Sequence, residues 1–400
     1  MTDECPSGHV LGGPMIRLMH LGDLHLGKNL SDFDLIRDQQ YILDQILSIV
    51  DKEAVNGVLI AGDVYDKSIP SEAATRLLDY FLNELAGKKV RVYMISGNHD
   101  SDDRLNYGST LFAANQIYIS AVFDGTMHKK TLAQGDTVTD IYLLPFVKAS
   151  QVKHFYPDEK IESYDDAVRT IIKHTPLDQG HRNILVAHQF VSGRGEDPAI
   201  AGSENLGTQS VGTVEKIGYD CFDDFEYVAL GHIHSPQRVG RDQIRYAGSP
   251  LKYSLSEANN EKSVPIITIS PGEKLKIDLI PLKPWRDLKH IRGKMDELLS
   301  KKSVNASEDF IYVTLTDEDL IDDAMGKFQQ IYPNTLRIDY DNSHTREVEM
   351  VDISRITESR SFSDLIGDFY QMIYGCEITE EEMAVMRTAA REAGVIHETD

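Results

Sequence analysis

From Met15 to about residue 282 the chain alternates short apolar, β-rich runs with longer stretches whose apolar residues recur every three or four positions. The first run, Ile16-Arg-Leu-Met-His20, precedes a stretch in which Leu35, Ile36, Ile42, Leu43, Ile46, Leu47 and Val50 share one helical face. Val58-Leu-Ile-Ala61 reads as the next strand. Pro70-Ser71 opens a second helix with Leu77, Leu78, Phe81, Leu82 and Leu85 on its apolar side, and Val90-Arg-Val-Tyr-Met-Ile95 returns as a strand. The opening is therefore β-α-β-α-β. Further strands are expected at 117–122, 139–144, 183–188, 226–230, 243–247, 264–269 and 275–280, with the Gly/Ser/Glu-rich stretch 192–212 as a loop. More than seven strands imply two packed sheets, an α/β fold in which a two-sheet β-sandwich is flanked by helices.

Past Pro281 the pattern changes. Pro284-Trp285 breaks the chain; helices are expected at 285–300 and 319–331 and strands at 310–316 and 335–340, giving a small α+β domain. The tail carries two helical stretches, 361–374 and 379–394, the second opened by Thr379-Glu-Glu-Glu382 with capping-box spacing. The expected division is an extension at 1–14, a main domain at 15–282, a small second domain at 283–345 and a helical tail at 346–400.

Composition excludes whole classes. Among 400 residues, 41% are hydrophobic and 26% charged, ordinary globular usage that rules out collagenous, low-complexity and wholly disordered chains. The apolar runs are strand-length and nothing reads as a membrane span. The first fourteen residues carry Asp3 and Glu4 without an apolar core, unlike a secretory signal. Cys5, Cys221 and Cys376 are odd in number and form no C-x-x-C pair, so neither a disulfide framework nor a cysteine zinc site is expected, and a reducing cytoplasm fits. The net charge is −23, of which residues 301–400 carry −13. Such acidity weighs against unaided nucleic-acid binding; an anionic substrate would need bound cations or a basic partner.

Five polar clusters each fall at the C-terminal end of an expected strand: Asp23-Leu-His25, Gly62-Asp63-Val-Tyr-Asp66, Gly97-Asn98-His99-Asp100, Ala187-His188-Gln189 and Gly231-His232-Ile-His234. A single D-x-H triplet would mean little in a chain with 14 histidines, but five clusters in this placement read as a metal site. Oxygen and imidazole donors suit Mn, Fe or Zn. Two ions rather than one suit a phosphodiester, because a metal pair can ionise water, screen the phosphate charge and align the attack. Asp63, between the other clusters, is the candidate bridge, with two carboxylate oxygens to share.

In order and spacing, D-x-H, G-D-x-x-D, G-N-H-D, H and G-H-x-H resemble the calcineurin-like metallophosphoesterase superfamily. The resemblance implies Asp23, His25 and His234 on one ion, Asn98, His188 and His232 on the other, and Asp63 between them. It further implies His99 as the metal-free catalytic histidine, with Asp66 orienting it. Gly231-His-Ile-His-Ser-Pro-Gln237 and Arg245-Tyr-Ala-Gly-Ser-Pro-Leu-Lys-Tyr-Ser-Leu-Ser-Glu257 are similar to the SbcD-type nuclease subunits within that superfamily. Pro281 to Gly293 resembles that family's lead into a capping domain, and the acidic tail sits where relatives bind an SbcC-type ATPase. Asp66-Lys67-Ser68 lacks the Arg-Gly of the protein Ser/Thr phosphatases. What the resemblance implies is a manganese-dependent DNA nuclease acting 3′ to 5′ on duplex ends and on single strands or hairpins. It would serve DNA repair, recombination and replication at the nucleoid, with the ATPase and DNA as partners and a homodimer through the early helices. Lys28, Arg104 and Arg194 are candidate backbone contacts, Tyr107 and Tyr253 candidate base stackers, and Met372, Met383 and Met386 a candidate docking surface. Two alternatives stay open, a phosphoesterase for a small phosphodiester such as a cyclic nucleotide and a scaffold that recruits an ATPase.

Overall fold

A computed structural model describes residues 15–193, 198–199, 216–300, 308–343, 362–374 and 378–392. The expected extension at 1–14, most of the loop at 192–212 with Arg194, and the Met372 side chain lie outside the described residues. The chain divides into two compact units, one formed by residues up to 290 with 307–312 and the other by 291–306 with 313 onward.

Two six-stranded sheets form the first unit. One runs Lys276–Pro281, Ser263–Ile269, Ile16–Leu21, Gly57–Ala61, Arg91–Ile95, Ile117–Ser120; the last four strands are parallel and the first two antiparallel. The other runs Gln237–Val239, Arg241–Tyr246, Tyr227–Gly231, Arg182–His188, Thr137–Leu144, His128–Gln134, with a parallel centre and antiparallel edges. Leu18, Leu59, Tyr93 and Ile267 from the first sheet meet Ile141, Leu143, Ile184, Val186 and Tyr227 from the second in one buried layer. The parallel centre explains the apolar runs that carried the sequence reading: strands covered on both faces cannot alternate with polar residues. Helices Ile36–Lys52 and Glu72–Gly87 pack on each other, the second also on strand Arg91–Ile95. Helix Tyr164–Lys173 covers the second sheet through Ala167, Val168 and Ile171. Thus the α/β two-sheet sandwich with flanking helices stands as expected.

One buried polar residue spans the sandwich. His20 Nε2 donates to the Leu230 carbonyl at 3.2 Å, so its Nδ1 accepts from the Tyr227 hydroxyl at 3.0 Å. Burial pushes this imidazole down to about 3, which keeps it neutral as a strut between the sheets.

The expected helix at 285–300 is broken into a strand and a single helical turn. Leu288–Gly293 lies at the edge of a three-stranded sheet with Phe310–Leu315 in the centre and Thr335–Tyr340 beyond, and only Met295–Leu298 is helical. Pairing with a partner some twenty positions later decides the conformation, which local periodicity cannot register. The helix expected at 319–331 shortens to Ala324–Gln329, where Asp323 at φ +48° caps Gly326 N–H. Met295, Val313, Leu315, Phe328 and Tyr332 are buried there. The tail helices run Phe362–Tyr374 and Glu380–Glu392; Tyr370 donates to Glu382 at 2.6 Å, and Thr379 forms the expected capping box with Glu382.

Within the first unit, Arg286 is clamped on helix Ile36–Lys52 by a bidentate pair with the buried Asp38, its guanidinium over Trp285 and Phe310. Removing one member of such a pair leaves a buried charge uncompensated. Arg286→Ala is expected to cost about 3–5 kcal/mol, read as a lower denaturant midpoint; an unchanged midpoint would contradict this.

Candidate metal centre

Every predicted donor lies just beyond, or at, the C-terminal end of a strand, and both sheets contribute. The first sheet supplies Asp23 and His25 after Leu21, Asp63 after Ala61, and Asn98 and His99 after Ile95; the second supplies His188 as a strand's last residue and His232 and His234 after Gly231. Hydrogen bonds from main-chain N–H groups tie these loops together. Asp23 N–H donates to Gly62 O at 3.2 Å, His25 N–H to Asp63 O at 2.9 Å, and His232 N–H to Asp23 Oδ1 at 2.9 Å. Asp23, His25, Asp63 and His232 all sit at positive φ, between +42° and +100°. Such backbone costs non-glycine residues on the order of 1 kcal/mol or more each, and it is held by the bonds just described.

All seven donors converge. His25 Nε2 and His234 Nε2 are 3.0 Å apart, and Asp23 completes that group. Asn98 Oδ1 lies 3.0 Å from both His188 Nε2 and His232 Nδ1. Between the groups stands one oxygen: Asp63 Oδ2 is 3.5 Å from His25 Nε2 and 3.3 Å from His188 Nε2. Its other oxygen, Oδ1, accepts from His99 N–H at 2.9 Å. Oδ2 thus faces both groups while Oδ1 is engaged by the His99 amide. Separations near 3 Å suit neighbouring donors about one six-coordinate ion, for which bonds of about 2.1 Å give roughly 3 Å. A further sign of fit is Asp23 Oδ2, which is buried and makes no hydrogen bond.

The electrostatics suit cation binding. Burial would raise Asp63, but the His188, His25 and His99 imidazoles override it and hold the carboxyl well below its usual range. Burial pushes Asp23 up to about 6 and holds His25 low and His232 at about 3, so those rings are neutral. His188 donates from Nδ1 to the Ala61 carbonyl at 2.7 Å, which turns Nε2 toward Asp63 and Asn98. Burial lowers its pKa, yet the Asp63 carboxylate prevails and lifts it to about 9.

His99 is partly exposed at the rim, its ring 4.8 Å from that of His25. Its Nδ1 donates to the main-chain carbonyl of Asp66 at 3.0 Å. The Asp66 carboxylate instead accepts from Lys28 at 2.7 Å, so the contact with His99 is made by the backbone of the expected residue. Lys28 is thereby engaged within the site. Tyr253, expected as a base stacker, is buried; its hydroxyl donates to Leu24 O at 2.6 Å and accepts from Gln39, whose amide also holds His25 O at 2.7 Å. Tyr107 is 84% exposed.

Sequence reasoning missed the supports. Asp100 accepts from Val64, Tyr65 and Gly97 N–H, fastening the Asp63 loop to the Asn98 loop. Burial and the nearby Asp63 raise it to about 6. Its place in G-N-H-D was the available signal. Gly97 meets a stricter demand: a Cβ there would lie 2.1 Å from Asp63 Oδ1.

Residues 16–236 match the family model described as calcineurin-like phosphoesterase, over half of the chain. The chain belongs to that family. Residues 284–374 of this phosphoesterase match a second model, the type 5 capsule protein repressor C-terminal domain. Among curated proteins, the SbcD subunit of the SbcCD nuclease of Staphylococcus epidermidis is 35% identical over 327 residues, 81% of this chain and 85% of its own. This phosphoesterase therefore belongs with the SbcD family. A crystal structure of a dimetal phosphatase from Danio rerio aligns with a TM-score of 0.33 and 11% identity, over 68% of this chain and 100% of that one. Among the described residues no helix is long and apolar enough to cross a membrane.

His188 would have to be neutral to coordinate, so the proton that the Asp63 carboxylate keeps on this imidazole up to about pH 9 would have to leave when a cation binds. Apparent metal affinity should climb up to about tenfold per pH unit between about 7 and 9 and then level off. Without metal, this group's stabilising contribution is fully present below 6.5 and lost as pH rises through about 9. Calorimetric metal titrations in buffers of differing ionisation heat measure the released proton; a flat profile would contradict the assignment.

Proposed function

We infer that this phosphoesterase is a metal-dependent DNA nuclease subunit that hydrolyses phosphodiester bonds and works with an SbcC-type ATPase in DNA end processing, repair, recombination and replication. One observation carries the reading: Asp63 Oδ2 faces both His25 and His188, joining two donor groups into one centre. Membership of the SbcD family supports the substrate and the partner.

In this reading Asp23, His25 and His234 would hold one divalent ion and Asn98, His188 and His232 the other, with Asp63 shared between them. Manganese is the proposed metal, because nitrogen and oxygen donors without thiolate suit it. A bound pair would lower the pKa of an attacking water and screen the phosphate charge. The chain's own chemistry is then that of position and proton. His99, its Nδ1 proton committed to Asp66 O, presents Nε2 at the rim, where its imidazolium form would give the Nε2 proton to the departing oxygen and be left as the neutral ring. Asp66 positions it through the main chain.

We propose residues 15–282 as the nuclease domain, 283–345 as the capping domain and 346–400 as the segment that docks on the ATPase. Exposed Phe369, Val385 and Met386 on the tail helices support that docking. The proposed activities are 3′–5′ exonuclease on duplex ends and endonuclease on single strands and hairpins, in the cytoplasm at the nucleoid. A homodimer through the early helices belongs to the same reading; sedimentation at the monomer mass would remove it.

Purified protein with Mn²⁺ is expected to degrade linear duplex DNA. His99→Ala should slow cleavage about 10²–10⁴-fold with metal uptake unchanged. Robust turnover of a cyclic nucleotide with DNA left intact would overturn the nuclease reading. Deleting residues 346–400 should leave simple metal-dependent cleavage and abolish stimulation by the ATPase and ATP. Loss of the basal cleavage would contradict the domain assignment.

A further inference from the structure

Behind His234 lies a chain of buried polar groups contributed by residues 249–262. Glu257 is fully buried. Its Oε1 lies 3.4 Å from His234 Nδ1 and accepts from Tyr253 N–H at 3.2 Å, while Oε2 accepts from Lys262 Nζ at 2.5 Å and Ser249 Oγ at 3.3 Å. The Lys262 ammonium, its side chain 4% exposed, also donates to Ser249 Oγ and to the His234 main-chain carbonyl, each at 2.9 Å. One ion pair therefore holds the same histidine at its ring and at its backbone.

An interior ammonium–carboxylate pair is a poor source of stability, because apolar residues of similar volume serve as well or better. What such a pair can supply is orientation. An ionised carboxylate has no proton to give, so the contact requires a proton on His234 Nδ1 and leaves the lone pair on Nε2. That is the atom 3.0 Å from His25 Nε2. The same segment reaches the neighbouring ligand loop, since the Tyr253 hydroxyl donates to Leu24 O.

We propose that Glu257, anchored by Lys262, is a positioning residue that fixes the tautomer and ring angle of His234, presenting Nε2 to a divalent cation. The inference rests on the metal-ligand reading of His234, and it extends the site to a residue at the end of the Arg245–Glu257 motif that no ligand pattern singles out. Partners that accept the remote N–H of a ligating histidine commonly tune metal affinity 10–100-fold.

Glu257→Gln alone would strand a buried ammonium, so the test pairs it with Lys262→Met, which removes both charges at similar volume. In the full-length, metal-free protein, ¹⁵N-histidine spectra should place the His234 proton on Nδ1 in the wild type and show it lost from that nitrogen, or exchanging between the two, in the double variant. Mn²⁺ titration of the double variant should show binding weakened about 10–100-fold, with the melting transition still cooperative. Glu257→Asp, which keeps the charge but shortens the reach, should fall between. An unchanged tautomer in the double variant together with unchanged Mn²⁺ affinity would overturn the proposal. Should the wild type take up no Mn²⁺, the metal-centre reading itself fails, and the metal-free spectra still decide whether Glu257 sets the tautomer.

Discussion

A single carboxylate oxygen at the seam between two sheets organises this molecule. Asp63 is only 2% exposed, yet three imidazoles keep it ionised, and its two oxygens have separate duties. One is held by the His99 amide; the other faces donors that belong to opposite sheets. Charge buried in this way is costly unless matched, and the match here is the protonated His188 imidazole beside it, a place that a bound cation would take over. The sandwich exists in this form because both of its layers must end at the same place.

Meeting that constraint strains the backbone. Four of the seven donors adopt left-handed conformations, and their loops are bound to one another rather than to solvent. Gly62, Gly97 and Gly231 allow the approach: a Cβ at Gly231 would lie 1.9 Å from the Ala61 carbonyl, and one at Gly62 would lie 2.5 Å from His188. The strain is offset by the apolar layer beneath, where Leu59, Ile95, Val186 and Ala229 are fully buried. Rigid strands therefore set donor positions that flexible loops could not hold.

Much of this was legible in the sequence. The β-α-β-α-β opening and the donor clusters after strands were readable because parallel strands are apolar throughout and their C-terminal ends carry the polar residues. The strand His128–Gln134 escaped notice, being a mostly exposed edge with polar alternation. Leu288–Gly293 read as helix because its partner is distant in sequence. Tyr253 read as a base stacker because nothing local reveals that its hydroxyl meets Leu24, 229 positions away. Glu257 ended a quoted motif, but its contact with His234 exists only in the folded chain. Donors are written in residue types; the groups that orient them are written in packing.

A crystal structure of the manganese-loaded protein, with anomalous scattering to locate each ion, tests the central claim most directly. The account predicts two peaks about 3.5–4 Å apart, both within bonding distance of Asp63 Oδ2, with Asp23, His25 and His234 on one and Asn98, His188 and His232 on the other. A single peak, or two peaks that share no Asp63 oxygen, would contradict it.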